Sequence, residues 1–281
     1  MSFQIELQKR LSRRVLLVLV AATGTLAGLT VFGPVTTSTV VARALSADPT
    51  GDEVMNKYIE ATGGKAAYEK IKSRAITGKI KITPPGLDGE LKTVTKAPKL
   101  SHTTINFAGM GKFESGVNGD VVWEKNPITG VRILEGVEKD RALREADVES
   151  GADWKKHYAS AENKGVKEIN GKPAYEILLT PKEGPAITQY FDKDSGLLVQ
   201  LEMHVARPEG EFDVVSNPSD WKEFGGIKVA TKTKQTVKDV QEQTITIDNV
   251  EINSDIPDST FDLPPDVKAM VAAPPATKPS K

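Results

Sequence analysis

Between Gln189 and Met203, apolar and polar positions alternate on either side of a short polar break. The run QYFDKDSGLLVQLEM predicts a strand, a tight turn at Asp194-Ser195-Gly196, and a second strand with Leu197, Val199, Leu201 and Met203 on one face. The same period of two recurs along most of the chain. Ile76, Ile80 and Ile82 alternate with Thr77, Lys79 and Lys81, and further short strands are predicted at LKTVTKA, SHTTINF, KFESGVN, DVVWEKN, VRILE, GVKEIN, KPAYEILLT, EFDVVSN, IKVATKTKQTVK and QEQTITIDNVEI. Gly, Pro or Asn bounds each of them, and Asn118-Gly119 is a pair favoured in tight hairpins. In the strand that begins at Ile227, Lys228, Lys232, Lys234 and Lys238 fall on one side. Ile227, Val229 and Val237 fall on the other, the pattern of a sheet with one solvated face.

Helical spacing occurs in two islands. Thr50-Gly51-Asp52-Glu53 has capping-box spacing, followed by Val54, Met55, Tyr58, Ile59 and Ala61 at helical intervals, and Gly63-Gly64 ends the run. Lys65 to Lys72 adds a turn or two, with Ala67, Tyr68 and Ile71 apolar. The second island covers GVEKDRALREADVES and extends to Trp154 and Tyr158, one helical turn apart. There is no βαβ rhythm and no internal repeat. Roughly eleven or twelve one-sided strands joined by short turns predict a mainly β (α+β), antiparallel meander that curls on itself. Its apolar face then has to meet itself, the helical islands, or something that is not in the sequence.

The two ends depart from this pattern. Lys9, Arg10, Arg13 and Arg14 precede a stretch, Val15 to Ala42, without any charge, and small residues follow at Ala42-Arg43-Ala44 and Leu45-Ser46-Ala47. Residues 1–47 therefore read as an export signal, and SRRVLL at Ser12–Leu17 resembles a twin-arginine signal. Alternatively, Val15 to Gly33 stays in place as a membrane anchor, since as a helix it rises about 28 Å, near the thickness of a bilayer core. In either case the remainder, 48–267, is expected outside the cytoplasm. After about Lys268 the chain is Pro- and Ala-rich without a period, which predicts a disordered tail over 268–281.

Composition narrows the function classes. The chain has no cysteine, which excludes disulfides and a lipid-modified cysteine and fits a bacterial extracytoplasmic protein. Setting aside the five basic and one acidic residues of the first 47 takes the net charge from −1 to −5, which argues against nucleic acid as a partner. His102, His157 and His204 are far apart, with no second ligand at metal spacing. No G-x-S-x-G elbow nominates a serine nucleophile. TGGKAA fails as a phosphate loop, because Ile59 stands where the first glycine belongs and Ala66 where Ser or Thr belongs. DKDSG is one residue short of a calcium loop and lacks its distant glutamate. Nothing nominates catalysis, and no cofactor is expected.

The order of elements resembles the LolA-like superfamily of periplasmic lipoprotein carriers and lipid-binding proteins. The residues that carry the resemblance are ATGGKAAYEKIKS ending the capped helix, then Tyr190-Phe191-Asp192 with Ser195-Gly196-Leu197-Leu198, then WKEFGGIKVATKT, and the closing IPDSTFDLPPD. The resemblance spans about Thr50 to Asp266. It implies an antiparallel half-barrel of about eleven strands wrapped around a few short helices that act as a lid over an apolar cavity for acyl chains. It also implies a buried lid-latching arginine, for which Arg74 is the positional candidate. The expected function is an exported carrier or binder of a lipid or acylated protein, lined by Ile105, Phe107, Trp123, Ile177, Leu179, Leu201 and Met203. The competing expectation is a membrane-anchored sensor or scaffold with a closed core and a protein partner, in contact with the membrane through residues 15–33. An enzyme has no positive support in the residues.

Overall fold

The computed structural model describes residues 48–208 and 210–272. The expected export or anchor segment, 1–47, lies outside them, as does the last part of the expected tail, 273–281. The fold is mainly β, antiparallel, with few short helices. Among the described residues thirteen strands form rather than about eleven: β1 (Ser73–Thr83), β2 (Leu87–Lys96), β3 (Leu100–Phe107), β4 (Gly111–Asn118), β5 (Val121–Asn126), β6 (Gly130–Ile133), β7 (Tyr158–Ile169), β8 (Lys172–Pro181), β9 (Ile187–Asp192), β10 (Leu198–Arg207), β11 (Gly210–Phe224), β12 (Ile227–Val237) and β13 (Gln241–Ile252). The α-helices among the described residues are α1 (Gly51–Ala61), α2 (Gly64–Tyr68), α3 (Gly136–Ala146) and α4 (Pro265–Ala272). The chain divides into two compact units. Described residues 71–150 and 240–272 make the first, with strands ordered β6-β5-β4-β3-β2-β1-β13. Residues 48–70 and 151–239 make the second, ordered β12-β11-β10-β9-β8-β7.

In the second unit α1 closes the apolar face of the strands. The expected capping box forms: Thr50 Oγ1 accepts from the Glu53 amide at 3.2 Å, and Glu53 Oε2 accepts from the Thr50 amide at 2.7 Å. These bonds satisfy amides that a helix start leaves open. Burial of Val54, Met55 and Ile59 against Ile177, Leu179, Phe191 and Leu198 then fixes the helix to the sheet. Gly51 has no room for a side chain, since a Cβ there would stand 2.2 Å from the Ala161 carbonyl oxygen. Lys57 Nζ donates to the Lys193 carbonyl at 2.5 Å. Gly196, at φ +72°, lies against Lys57 and Ala61. The Asp-Ser-Gly hairpin is thus the seat of α1, which gives its glycine a packing reason as well as a turn reason.

Two sequence readings are corrected here. Leu198 pairs with Phe191 while Gln200 pairs with Tyr190, so Val199 is a bulge. A bulge adds one residue and reverses parity. Leu198, rather than Leu197 and Val199, therefore shares the face of Phe191 with Leu201 and Met203. The second helical island also ends sooner than its composition indicated. Helix α3 stops at Ala146, Trp154 sits in a single 3-10 turn, and Tyr158 opens β7. Trp154 and Tyr158 still meet in the core around Phe191, through tertiary packing and not across a helical turn.

In the first unit the two sides of the strands are covered by different elements. Helix α3 packs Ala142, Leu143 and Ala146 on Val117, Val122 and Leu134. On the other side the segment after β13 lays Ile256 and Phe261 on Val94, with Ala75 and Leu100 alongside. It is tied down by Lys96 Nζ, which donates to the Ile256 carbonyl at 2.9 Å and to Asp258 at 2.6 Å, and by Asn118 Nδ2, which donates to the Phe261 carbonyl at 2.9 Å. The IPDSTFDLPPD motif is this strap. It leads into α4, where Val267 is fully buried and Lys125 pairs with Asp266 at 2.5 Å. The helix runs to Ala272, past Lys268, where the Pro- and Ala-rich composition had indicated tail.

Candidate functional site

Strand register assigns each side chain of the first unit to a face, because directly opposed residues share one. On the α3 side the rows run Arg74–Thr95–Ser101–Val117–Val122, then Ile76–Thr93–Thr103–Ser115–Glu124, then Gly78–Leu91–Ile105–Phe113, then Ile80–Gly89–Phe107–Gly111, and last Ile82–Leu87. The face is divided by polarity. Its first two rows carry a guanidinium, a carboxylate and several hydroxyls. On β1 to β4 the remaining rows are hydrocarbon and glycine, while β13 sets the buried Gln243 opposite Ile82. Phe107 fills the space that Gly89 leaves open, where a Cβ would come within 2.8 Å of its ring, and meets Phe113 edge-on with centroids 5.4 Å apart. Ile80, Ile82, Ile105, Phe107 and Phe113 are all buried.

The polar rows are tied at one end. The Arg132 guanidinium donates to Glu124 Oε1 at 2.8 and 3.0 Å and to the two Glu138 oxygens at 2.5 and 3.1 Å, which joins β6, β5 and α3. Burial acts to lower the Arg132 pKa, and the two carboxylates more than offset it, so the net shift is upward. Further along, Thr93 and Thr103 hydroxyls lie 3.0 Å apart. Thr95 is 2% exposed, and its Oγ1 has no hydrogen-bond partner. Arg74, the positional candidate for a buried arginine, is itself buried, one residue across the sheet from Thr95.

The seven sequence-predicted lining residues separate into three groups. Ile105 and Phe107 stand together on the apolar rows. Trp123 is also buried, but it opposes Gly116 and, through it, His102, which places it on the strap side of the same strands. Ile177, Leu179 and Leu201 belong to the second unit and pack in the core that α1 closes, while Met203 opposes Val214 and is half-buried. Sequence reasoning missed Phe113, Thr93, Thr95 and Thr103. The signal was present in SHTTINF, where Ser101, Thr103, Ile105 and Phe107 share parity and so had to share a face. Among the described residues no cluster of His, Asp or Glu could hold a metal ion, and no helix is long and apolar enough to cross a membrane.

An antiparallel meander with short helices on an apolar face defines the class, and solved structures of the same class exist. The chain has the fold of LolA-like proteins. A LolA superfamily protein from Nitrosomonas europaea superposes with a TM-score of 0.54 at 14% identity, over 76% of this chain and 98% of that one. A DUF1329 family protein from Desulfovibrio piger gives 0.53 at 15% identity, over 75% and 97%. A domain from Vibrio parahaemolyticus described as outer membrane lipoprotein-sorting gives 0.50 at 11%, over 75% and 97%. No sequence-family profile matches the chain, and no curated protein matches it in sequence.

Proposed function

We propose that this chain is an exported, non-enzymatic binder and carrier of a lipid or of a lipid-modified protein, which it holds by acyl chains laid along the apolar rows of β1 to β4. The observation that carries the reading is the band of Ile80, Ile82, Ile105, Phe107 and Phe113. It is buried, and it lies beyond the stretch of Val117, Val122 and Leu134 on which α3 packs. The shared fold with a lipoprotein-sorting domain supports the same direction. No chemistry is required of the site. Each methylene taken out of water contributes about 0.8 kcal/mol, so one long chain supplies ample affinity without polar contacts. Of the residues expected to line such a site, Ile105 and Phe107 keep that role and Phe113 joins them. Residues 1–47 direct the protein out of the cytoplasm, whether they are then removed or retained.

A second reading has one observation in its favour. The apolar face of the second unit is filled by α1, as in a closed scaffold with a protein partner. Native mass spectrometry of the protein from its own host, purified without detergent, separates the two. A chain starting near Leu45 or Asp48 with a lipid-sized adduct that is lost on organic extraction supports the carrier. A bare mass, or a chain that needs detergent because residues 15–33 remain, overturns the shuttle and leaves the anchored scaffold.

A further inference from the structure

One buried amide on the first unit's apolar face bears on which lipid that face holds. Strand β13 sets Ile247, Ile245 and Gln243 opposite Gly78, Ile80 and Ile82, so these residues join the apolar rows. Gln241, two residues before Gln243, takes the same face at its end. It is 4% exposed, and neither its Nε2 nor its Oε1 has a hydrogen-bond partner among the described residues. Buried amides are paired as a rule, and an unpaired one is costly, so an external partner is indicated. We propose that the ligand is an uncharged acyl lipid whose head exchanges hydrogen bonds with Gln241. A monoacylglycerol or a fatty amide has that chemistry, and its chain runs past Ile82, Ile80 and Phe107 toward Ile105 and Phe113. The inference rests on the binding function proposed above and adds the ligand's head and its orientation.

An uncharged head is indicated by what surrounds Gln241. A glutamine amide both donates and accepts, and it brings no charge to balance. The ionisable residues of the adjoining strand segments, Lys79, Lys81, Asp88, Glu90 and Glu242, alternate onto the opposite side and are exposed. An ionised head on the Gln241 side therefore finds no counterion on these segments. The hydroxylated end of the same face has less to offer. Thr93 and Thr103 pair with each other there, Arg74 is engaged within the protein, and Thr95 supplies a single hydroxyl. From Gln241 to Ile247 the strand spans six residues, about 20 Å at some 3.4 Å per residue. Over that length, once past Gln243, a chain meets only the rows of hydrocarbon and glycine.

The test compares 1-monopalmitoylglycerol with palmitate, which share a chain and differ in the head. Both are titrated calorimetrically from cyclodextrin into the delipidated protein as exported by its host. The glyceride is expected to bind at least about tenfold tighter, since the acid buries its charge without a partner. Gln241→Met keeps the length of the side chain and removes both hydrogen-bonding groups. It is expected to lower glyceride affinity about tenfold, to leave palmitate nearly unchanged, and to raise the denaturation midpoint of the delipidated protein. Gln241→Leu serves in its place if the Met variant does not fold. A lower midpoint marks a structural amide and overturns the proposal, as does glyceride affinity indifferent to the substitution. Palmitate binding as tightly as the glyceride overturns the uncharged head while acyl binding stands. Failure of both ligands to bind overturns the carrier reading as well.

Discussion

Helices α1 and α3 have the same length, eleven residues each, and they are held in different ways. Helix α1 has a reciprocal cap, three large apolar side chains in the core, and a lysine bonded to a turn across the sheet. Helix α3 has no side-chain cap at Glu135, and its only fully buried residue is Ala146. Besides the packing of Ala142, Leu143 and Ala146, what fastens it is the Arg132 fork to Glu124 and Glu138. Hydrophobic burial grows with apolar area and is hard to reverse locally, whereas a partly exposed ion pair is modest and screened. The second unit therefore closes its apolar face with its own chain. The first unit leaves the rows of Ile105, Phe107 and Phe113 beyond the reach of its helix's packing.

Five expected outcomes sharpen this contrast. The largest is for Phe191→Ala, which removes a fully buried ring 5.1 Å from Tyr58 of α1, and should cost about 4 kcal/mol in denaturant unfolding. Phe113→Ala, on the apolar rows of the first unit, should cost roughly half of that, because cost follows how well a site collapses. Equal costs would remove the distinction between the two faces. Next, Glu138→Gln should loosen α3 by about 1–2 kcal/mol, discounted for its partial exposure, with faster amide exchange over 136–146 and none over 51–61. Exchange rising equally in both helices would show that the fork has no local role.

Thr50→Ala should cost about 1 kcal/mol and speed exchange in the first turn of α1 alone. The smallest effect concerns acid. Burial raises the Asp192 carboxyl pKa, but hydrogen bonds from the Ser195 amide and hydroxyl, both 2.7 Å, more than offset this and leave it below the usual aspartate range. A carboxyl lowered in the folded state contributes stability at neutral pH that is lost as pH falls through and below that range. Asp192→Asn should be less stable than the unaltered protein at neutral pH, and the gap should narrow on acidification. A gap independent of pH would mean that the carboxylate charge is not what the turn uses.

Much of this architecture was legible from residue patterns, and the exceptions have identifiable causes. The α1 cap could be read because its bonds join residues three apart. The strands could be read because they alternate, and the lysine row of β12 does turn outward, with Lys232 and Lys234 exposed. Alternation within one strand does not report a bulge, so Val199 reversed the parity of Leu197 to Met203 unseen. Nor does it say which side of a sheet a helix will choose. Trp123 was grouped with Ile105 and Phe107 on hydrophobicity alone, although register puts it on the opposite, strap-bearing side. The buried threonines were overlooked because a polar residue in an alternating strand is ordinarily the solvent side. Here Thr93, Thr95 and Thr103 are on the enclosed side and the lysines beside them are not.

The most direct test of the central claim is photocrosslinking with a fatty acid that carries a diazirine near the end of its chain, followed by peptide mapping of the adducts. Labelling is expected on peptides that contain Ile105, Phe107 and Phe113, competed away by unlabelled palmitate. Labelling confined to Val54–Ile59 and its partners around Phe191, or scattered over exposed segments without competition, would contradict it.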